Sequence, residues 1–154
     1  MIYHCTLYKC TCYVMIGGVT CDSGWTLSAS TGRCYKMMTS RISWAEARAH
    51  CQGLGTNGDL ASIPDQETNE IIMSLLSTVQ RRYWIGGTDA ASEGAWQWAD
   101  GTPWGYTNWR RGQPDNDMGG QHHLYISGPS EGEVHGQWTD QKGETNNLMF
   151  ICQY

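Results

Sequence analysis

The sequence lacks long apolar runs and basic clusters. No stretch approaches the roughly 20 apolar residues that span a bilayer, so membrane insertion is not expected. Lys and Arg number 10 against 15 Asp and Glu, and no basic stripe is present that would neutralise phosphates, so nucleic acid is not an expected partner. The H-E-x-x-H motif of zinc proteases does not occur either. These absences indicate that the chain is not an enzyme.

Cysteine is abundant, but it does not follow the paired C-x-x-C spacing of a structural zinc site. The 154 residues include 7 Cys, a number that indicates a disulfide-bonded, secreted protein. Cys5, Cys10 and Cys12 fall within residues 1–20, which show no basic-then-apolar signal pattern. We therefore expect a mature chain with an N-terminal extension over residues 1–20 and one domain over residues 21–154.

The first half of the domain predicts a hairpin and two helices. Extended segments around Cys21 and Cys34 flank a turn at residues 30–32, so a Cys21–Cys34 disulfide would join the hairpin. The Ser43-Trp-Ala-Glu46 segment has the capping-box pattern and predicts a helix over residues 43–54. Asp65 follows a proline and caps a second predicted helix over residues 66–79.

The second half predicts short strands between long loops. Segments rich in β-branched and aromatic residues occur between Gly, Pro, Asn and Asp clusters, at 83–85, 96–98, 123–126, 136–138 and 149–152. The loops 86–95 and 101–121 exceed the usual connection length, which favours a functional role. The 5 Trp between positions 84 and 109 favour ordered loops.

Several landmarks occur in the order of a known family. They are Trp44-Ala-Glu-Ala47, Leu60-Ala-Ser-Ile63, Trp84-Ile-Gly-Gly, Trp96-x-Trp98-x-Asp-Gly, Asn108-Trp, Gln113-Pro-Asp115, Trp138-x-Asp140 and Phe150-Ile-Cys152. The chain resembles a C-type lectin domain over residues 21–154. The resemblance implies an α+β, C-type lectin-like fold in which two helices flank small antiparallel sheets, with a long loop region and an N-terminal hairpin. It also implies a Cys51–Cys152 disulfide and buried tryptophans.

The chain departs from this family at another disulfide, because His123 and Gly143 align with two further cysteines. If Cys21, Cys34, Cys51 and Cys152 pair among themselves, Cys5, Cys10 and Cys12 are left over. An odd cysteine indicates a link between chains. We expect a disulfide-linked or otherwise N-terminally assembled homo- or hetero-dimer, with a capped or free thiol as the alternative.

The resemblance places a calcium-dependent sugar site at the Gln-Pro-Asp motif. It implies that a cis peptide before Pro114 directs two side chains the same way, and that the ion is shared with vicinal sugar hydroxyls. The implied calcium ligands are Gln113, Asp115, Gln121 and Asp140. The predicted sugar-binding residues are these four with Arg111, Thr139, His123 and Tyr125. Gln121 and Thr139 replace a usual acid and a usual asparagine.

The order Gln-Pro-Asp resembles the galactose and N-acetylgalactosamine class. The implied function is a secreted lectin for such sugars or other N-acetylhexosamines on glycoconjugates, with a role in recognising foreign or self surfaces, as in innate immunity. Because two ligand positions are altered, recognition without calcium stays open. So does a lectin-like domain that binds a protein, ice or another non-sugar surface.

Histidine and acid residues leave further metal sites open. A zinc site built from His122, His123, His135, Asp115 and Asp117 is disfavoured, because adjacent histidine side chains diverge. Asp89 either caps a turn or binds an auxiliary calcium ion.

Overall fold

The strands form one mostly antiparallel sheet. The structure is a computed structural model that describes residues 18–76, 82–144 and 146–154, without the side chain of Glu133. Cys5, Cys10, Cys12 and most of the predicted extension lie outside the described residues. The strands, in chain order, are β1 Thr26–Leu27, β2 Cys34–Ile42, β3 Asp59–Leu60, β4 Arg82–Thr88, β5 Gln97–Trp98, β6 His123–Ser127, β7 Trp138–Gln141 and β8 Leu148–Gln153.

The order across the sheet is β1-β2-β8-β4-β6-β7, with β3 beside β8 and β5 beside β4. The pair β4 and β8 is parallel, with Tyr83 opposite Met149, whereas the other pairs are antiparallel. The α+β class is confirmed. The difference from the expected small antiparallel sheets is that one mixed sheet connects the hairpin at one edge to β7 at the other.

The two helices begin where their capping residues predict. Helix α1 spans Trp44–Gln52, and Ser43 and Glu46 form the expected capping box. Helix α2 spans Gln66–Leu75, and the Asp65 carboxylate accepts a hydrogen bond from the Thr68 amide at 2.8 Å. A 3-10 helix, Pro129–Val134, follows β6.

Both helices end earlier than predicted. Gly53 caps α1, so the helix stops before Leu54. Leu76 adopts an extended backbone and buries its side chain in the core, which ends α2 before the predicted residue 79. Strand β7 begins at Trp138 and not at the predicted residue 136, because residues 135–136 form a turn. Strand β1 likewise begins only after Trp25, since residues 23–24 form a turn. Tertiary packing overrides periodicity at these ends.

Two disulfides join distant parts of the chain. Cys21 pairs with Cys34 across the hairpin, and Cys51 of α1 pairs with Cys152 of β8 over a sequence separation of 101. Both predicted pairings are confirmed. Cys51 and Cys152 are fully buried between the helix and the sheet.

Gly86 allows a close approach that the sheet requires. A side chain at this position of β4 would place its Cβ 2.8 Å from the Leu60 carbonyl oxygen. The Gly86 amide donates instead to the Ala61 carbonyl at 2.8 Å. The glycine of the Trp84-Ile-Gly-Gly landmark therefore lets β4 pack directly against the backbone that follows β3.

No helix among the described residues is long and apolar enough to span a membrane.

A partly buried polar cluster around Asp100 fastens the long loop that follows β5 to the sheet. The Asp100 carboxylate pairs with Arg33 and accepts hydrogen bonds from Thr102 Oγ1 at 2.7 Å and Gln153 Nε2 at 2.6 Å. Burial raises the pKa of Asp100, but the hydrogen bonds from Thr102 and the Arg33 guanidinium outweigh it and hold the pKa below its ordinary value. The folded state therefore favours the ionised carboxylate.

We expect removal of the Cys51–Cys152 disulfide to destabilise the chain more than removal of Cys21–Cys34. In the chain-entropy model a loop of about 100 residues contributes roughly 4–5 kcal/mol and a loop of about 15 residues roughly 3 kcal/mol. Urea unfolding of Cys51→Ala/Cys152→Ala and of Cys21→Ala/Cys34→Ala measures both losses. Equal losses would contradict the loop-length explanation.

We expect Asp100→Asn to lower the free energy of unfolding at neutral pH by about 1–3 kcal/mol, since it weakens a buried charged hydrogen-bond cluster. The lowered pKa means that the ionised carboxylate stabilises the fold above the ordinary carboxyl pKa, about 4. This stabilisation is lost as the pH falls through the folded pKa. Urea unfolding against pH should therefore show the difference shrinking in acid. Asp22→Asn, at an exposed carboxylate, is the control and should change little.

Candidate functional site

The long loop before β6 is fastened to strand β7 by backbone hydrogen bonds. Trp109 and Trp138 form a parallel β-bridge. The Trp138 amide donates to the Asn108 carbonyl at 2.8 Å, and the Arg110 amide donates to the Trp138 carbonyl at 2.9 Å. The bridge places the Gln-Pro-Asp motif, which follows Arg110, beside Asp140, two residues along β7 from Trp138.

Indole rings fill the space under this loop. Their centroids lie 4.9–6.4 Å apart in tilted and edge-to-face pairs, the arrangements that aromatic rings prefer. The rings belong to Trp96, Trp98, Trp104, Trp109 and Trp138. Trp98 and Trp138 are buried, as is Trp84 nearer the helices. The tryptophans therefore have the structural role that the family resemblance implies.

The Gln-Pro-Asp motif brings its amide and its carboxylate together. The peptide bond before Pro114 is cis. Gln113 Nε2 donates a hydrogen bond to Asp115 Oδ2 at 2.7 Å, so the two side chains lie on the same side of the loop. Gln113 Oε1 is buried and has no hydrogen-bond partner. An amide oxygen in this state can accept a bond from a ligand.

The Asp140 carboxylate lies directly behind the motif and binds its backbone. Its oxygens accept hydrogen bonds from the Asn116 amide at 2.7 Å and the Asp115 amide at 3.3 Å. Burial and the nearby Asp115 carboxylate raise the pKa of Asp140 despite these hydrogen bonds. Within the described part of the chain, neither carboxylate has a Lys or Arg in an ion pair. The pair of acids therefore lacks a protein cation.

The donor types of Gln113, Asp115 and Asp140 fit calcium, which takes 6–8 oxygen ligands from carboxylates, amide carbonyls and water. The unpartnered Gln113 Oε1 is the atom that supports this fit. Gln121 contributes differently from the prediction, because its Nε2 donates to the Asp117 carbonyl at 2.9 Å. These side chains alone make an open site, with remaining positions for water or hydroxyl groups.

Three predicted sugar-binding residues are not brought to this surface. Tyr125 is only 2% exposed and belongs to the core under α1, with the Arg82 guanidinium 5.0 Å from its ring centroid. Thr139 pairs with Tyr125 across the ladder and is also buried. Neighbouring side chains of a strand point to opposite faces, so Thr139 and Asp140 diverge. His123 packs against Trp44, with centroids 4.3 Å apart.

His123 and Gly143 are in contact, as their alignment with a missing disulfide implies. A Cβ placed on Gly143 would lie 2.6 Å from His123 Nδ1. Burial lowers the pKa of His123, so its neutral ring fills the space between β6 and the segment after β7. The imidazole therefore packs where a disulfide between positions 123 and 143 would otherwise connect β6 to the segment after β7.

A second polar cluster lies beside the motif. His122 Nδ1 is 3.0 Å from Asp89 Oδ1 and 3.5 Å from Glu93 Oε2. Glu93 Oε2 also accepts a hydrogen bond from Asn116 Nδ2 at 2.7 Å. The histidine-rich zinc site that was disfavoured from the sequence does not form among the described residues. His122 lies close to Asp89 and Glu93 and not to His135 or Asp115. The sequence would have predicted this cluster only if the pairing of β4, which ends before Asp89, with β6, which begins after His122, had been known.

Comparisons with known proteins agree with this geometry. The Lectin C-type domain family matches residues 40–154. The galactose-specific lectin nattectin of Thalassophryne nattereri is 41% identical over 106 residues, 67% of this chain and 64% of that protein, so the matched part spans just under two thirds of this relative. A perlucin-like protein of Mytilus galloprovincialis is 31% identical over 94% of this chain and 86% of its own length.

A solved structure has the same fold. The crystal structure of a calcium-independent type II antifreeze protein is 30% identical, with a TM-score of 0.74 over 88% of this chain and 94% of that chain. The chain belongs to the C-type lectin domain family. Membership of this family confirms the prediction that the domain is not an enzyme.

We expect Gly143→Ala to lower the free energy of unfolding by about 1–3 kcal/mol, because the new methyl group overlaps the His123 ring. Adding His123→Ala should relieve the overlap, so the double variant should be more stable than the sum of the two single changes predicts. Urea unfolding of the four proteins measures the coupling. Gly105→Ala, where a Cβ meets nothing within 4 Å, is the matched control, and strict additivity would refute the contact.

Proposed function

We propose that this chain is a secreted lectin that binds galactose and N-acetylgalactosamine-type sugars at the loop Gln113–Asn116, with calcium held by Gln113, Asp115 and Asp140. The observation that carries the proposal is the meeting of the Gln113 amide and the Asp115 carboxylate on one side of Pro114. The 41% identity to a lectin named as galactose-specific supports the sugar class. The two disulfides suit an oxidising, extracellular environment.

The chemistry of the loop suits a pair of neighbouring hydroxyl groups. A carboxylate accepts hydrogen bonds from hydroxyls, whereas the amide of Gln113 can also donate one through its nitrogen. Arg111 is exposed just before the motif and offers further donors without acceptors. Calcium, when bound, supplies a Lewis acid that coordinates sugar hydroxyls and neutralises the two carboxylates. The raised pKa of Asp140 is consistent with a place for positive charge.

An apolar contact for the sugar ring is available at the tip of the loop. Met118 is 90% exposed and lies three positions after Asp115. Its flexible thioether can adapt to a sugar's apolar face. The nearby aromatic residue Tyr106 packs on Trp138, with ring centroids 5.7 Å apart, so we do not assign it a contact with the sugar. We therefore assign to Met118 the contact with the apolar face of the sugar, a contact that an aromatic side chain could also make.

Recognition without calcium is the second candidate, and a specific contact favours it. The Asp140 oxygens are already bonded by the Asn116 and Asp115 amides, so hydrogen bonds within the protein shape the loop. Gln113, Asp115 and Arg111 would then bind hydroxyl groups directly. The similarity to a calcium-independent antifreeze protein supports this mode, and it also keeps a non-sugar surface as a candidate ligand.

The N-terminal cysteines add a proposal about assembly. A bond through Cys5, Cys10 or Cys12 would join two chains into a dimer. Two sugar sites in one particle increase the strength of binding to a surface that carries many glycans.

We expect Asp115→Ala to abolish retention on galactose-agarose in the presence of calcium, because the change removes both a ligand carboxylate and the partner of Gln113. Affinity chromatography of the full chain measures retention, and circular dichroism confirms folding. Asp117→Ala is the matched control, since it removes the same charge from an exposed side chain two positions away. It should leave retention nearly unchanged.

The same column separates the candidate modes. Elution by EDTA with recovery after calcium is added supports the calcium lectin. Retention that survives EDTA but is lost in Asp115→Ala supports direct recognition. Retention by Asp115→Ala equal to that of the unchanged chain would overturn the proposed site, and no retention on galactose or N-acetylhexosamine resins would favour a non-sugar ligand.

A further inference from the structure

We propose that Asp89, Glu93 and His122 form a binding site for a zinc-like divalent transition-metal ion, separate from the Gln113, Asp115 and Asp140 site. One ligand atom from each residue lies within 4.8 Å of the other two. His122 Nδ1 is 3.0 Å from the Asp89 oxygen and 3.5 Å from the Glu93 oxygen. Ligand atoms of a tetrahedral zinc site lie about 3.3 Å apart, given metal–ligand distances near 2.0 Å.

The sheet, rather than a flexible loop, positions two of the three ligands. Asp89 directly follows β4 and His122 directly precedes β6, and Thr88 and His123 pair in the ladder between these strands. The Asp89 amide and the Thr88 hydroxyl both donate to the His122 carbonyl, at 3.3 Å and 2.7 Å. The backbones that carry Asp89 and His122 are therefore held side by side by hydrogen bonds. Small side-chain rotations suffice to close around an ion.

Hydrogen bonds from neighbouring groups orient the two carboxylates, as such bonds orient the ligands of known metal sites. Asp89 Oδ2 accepts a hydrogen bond from the Gly94 amide at 2.7 Å, which leaves Oδ1 directed at His122. Glu93 Oε2 accepts from Asn116 Nδ2 at 2.7 Å, which holds this oxygen 3.5 Å from His122 Nδ1, and the Glu93 side chain is 55% exposed. Access from solvent is therefore available on the Glu93 side.

The charge of the cluster favours a cation. Asp89 is fully buried, and in the part of the chain that the structure describes His122 is the only basic group in an ion pair with Asp89 or Glu93. A buried carboxylate is costly without a positive partner. A divalent ion bound at Nδ1 would replace the proton there and neutralise both acids. Binding therefore releases a proton whenever His122 Nδ1 carries one.

The imidazole decides the class of metal. Calcium prefers oxygen ligands in numbers that three side chains with one nitrogen do not approach. Imidazole with carboxylates suits zinc, cobalt, nickel or copper. Three protein ligands leave a fourth tetrahedral position for water or for a group on a binding partner. The proposal does not rest on sugar binding, because none of the three residues belongs to the Gln-Pro-Asp motif.

The test is calorimetric titration of the full chain with zinc chloride, in a Cys5→Ser/Cys10→Ser/Cys12→Ser background so that thiolates cannot hold the ion. We expect one zinc per chain, with affinity reduced at least about tenfold by His122→Ala and by Glu93→Gln, the loss that even an outer-shell partner can cause. His50→Ala, at an exposed histidine of α1, is the matched control and should bind as the unchanged background does. Cobalt(II) should show the visible absorption of a tetrahedral site that His122→Ala abolishes.

Three outcomes would overturn the inference. They are zinc binding that disappears once the N-terminal cysteines are replaced, equal binding by His122→Ala, and complete displacement of zinc by an equal concentration of calcium. Glu93 is exposed, so Glu93→Gln should stay folded and keeps the test decisive if His122→Ala unfolds. Retention on galactose-agarose with calcium is a separate readout, so failure of the sugar site and failure of the zinc site can be told apart.

Discussion

The backbone bridge between Trp109 and Trp138 is the contact on which the binding surface depends. It fixes the long loop to β7 through hydrogen bonds on both sides of Trp138. The Trp138 indole nitrogen also donates to Asn69 Oδ1 at 3.0 Å, so the same residue connects the loop to α2. Because Asp140 lies two positions further along β7, its carboxylate is delivered to the motif by the same strand. This bridge and the hydrogen bonds from the Asp115 and Asn116 amides to Asp140 together hold the motif beside β7.

The chain stabilises this region without the further disulfide that the family resemblance implies. Packing of His123 on Gly143 and Trp44 supplies one substitute. The indole cluster supplies another, since aromatic pairs contribute about 0.5–1.5 kcal/mol beyond the area they bury. The hydrogen bonds from Asn116 to Asp140 and Glu93 hold the tip of the loop. Many small contacts thus take over from one covalent bond.

Local signals and family landmarks were enough to predict much of this structure. Ser43 and Asp65 cap helices because their side chains bond the backbone within one turn. The hairpin pattern predicts Cys21–Cys34, and the landmarks imply Cys51–Cys152 and the position of the motif. The helix ends were less predictable, since burial of Leu76 in the core decides where α2 stops. Tyr125 and Thr139 were assigned to the surface, but strand pairing places them in the core. The grouping of Asp89, Glu93 and His122 joins residues 33 positions apart, and only the pairing of β4 with β6 reveals it.

The N-terminal hairpin and β7 lie at opposite edges of the sheet. The C-terminal residue Tyr154 exchanges backbone hydrogen bonds with Cys34 of the hairpin, at 3.0 Å and 3.1 Å. The beginning of the described chain and its end therefore leave the molecule near the same edge. An affinity tag, a surface anchor or a neighbouring chain attached after Tyr154 would be held at the edge away from Asp140. Such a molecule could be immobilised without its own tether obstructing access to the loop.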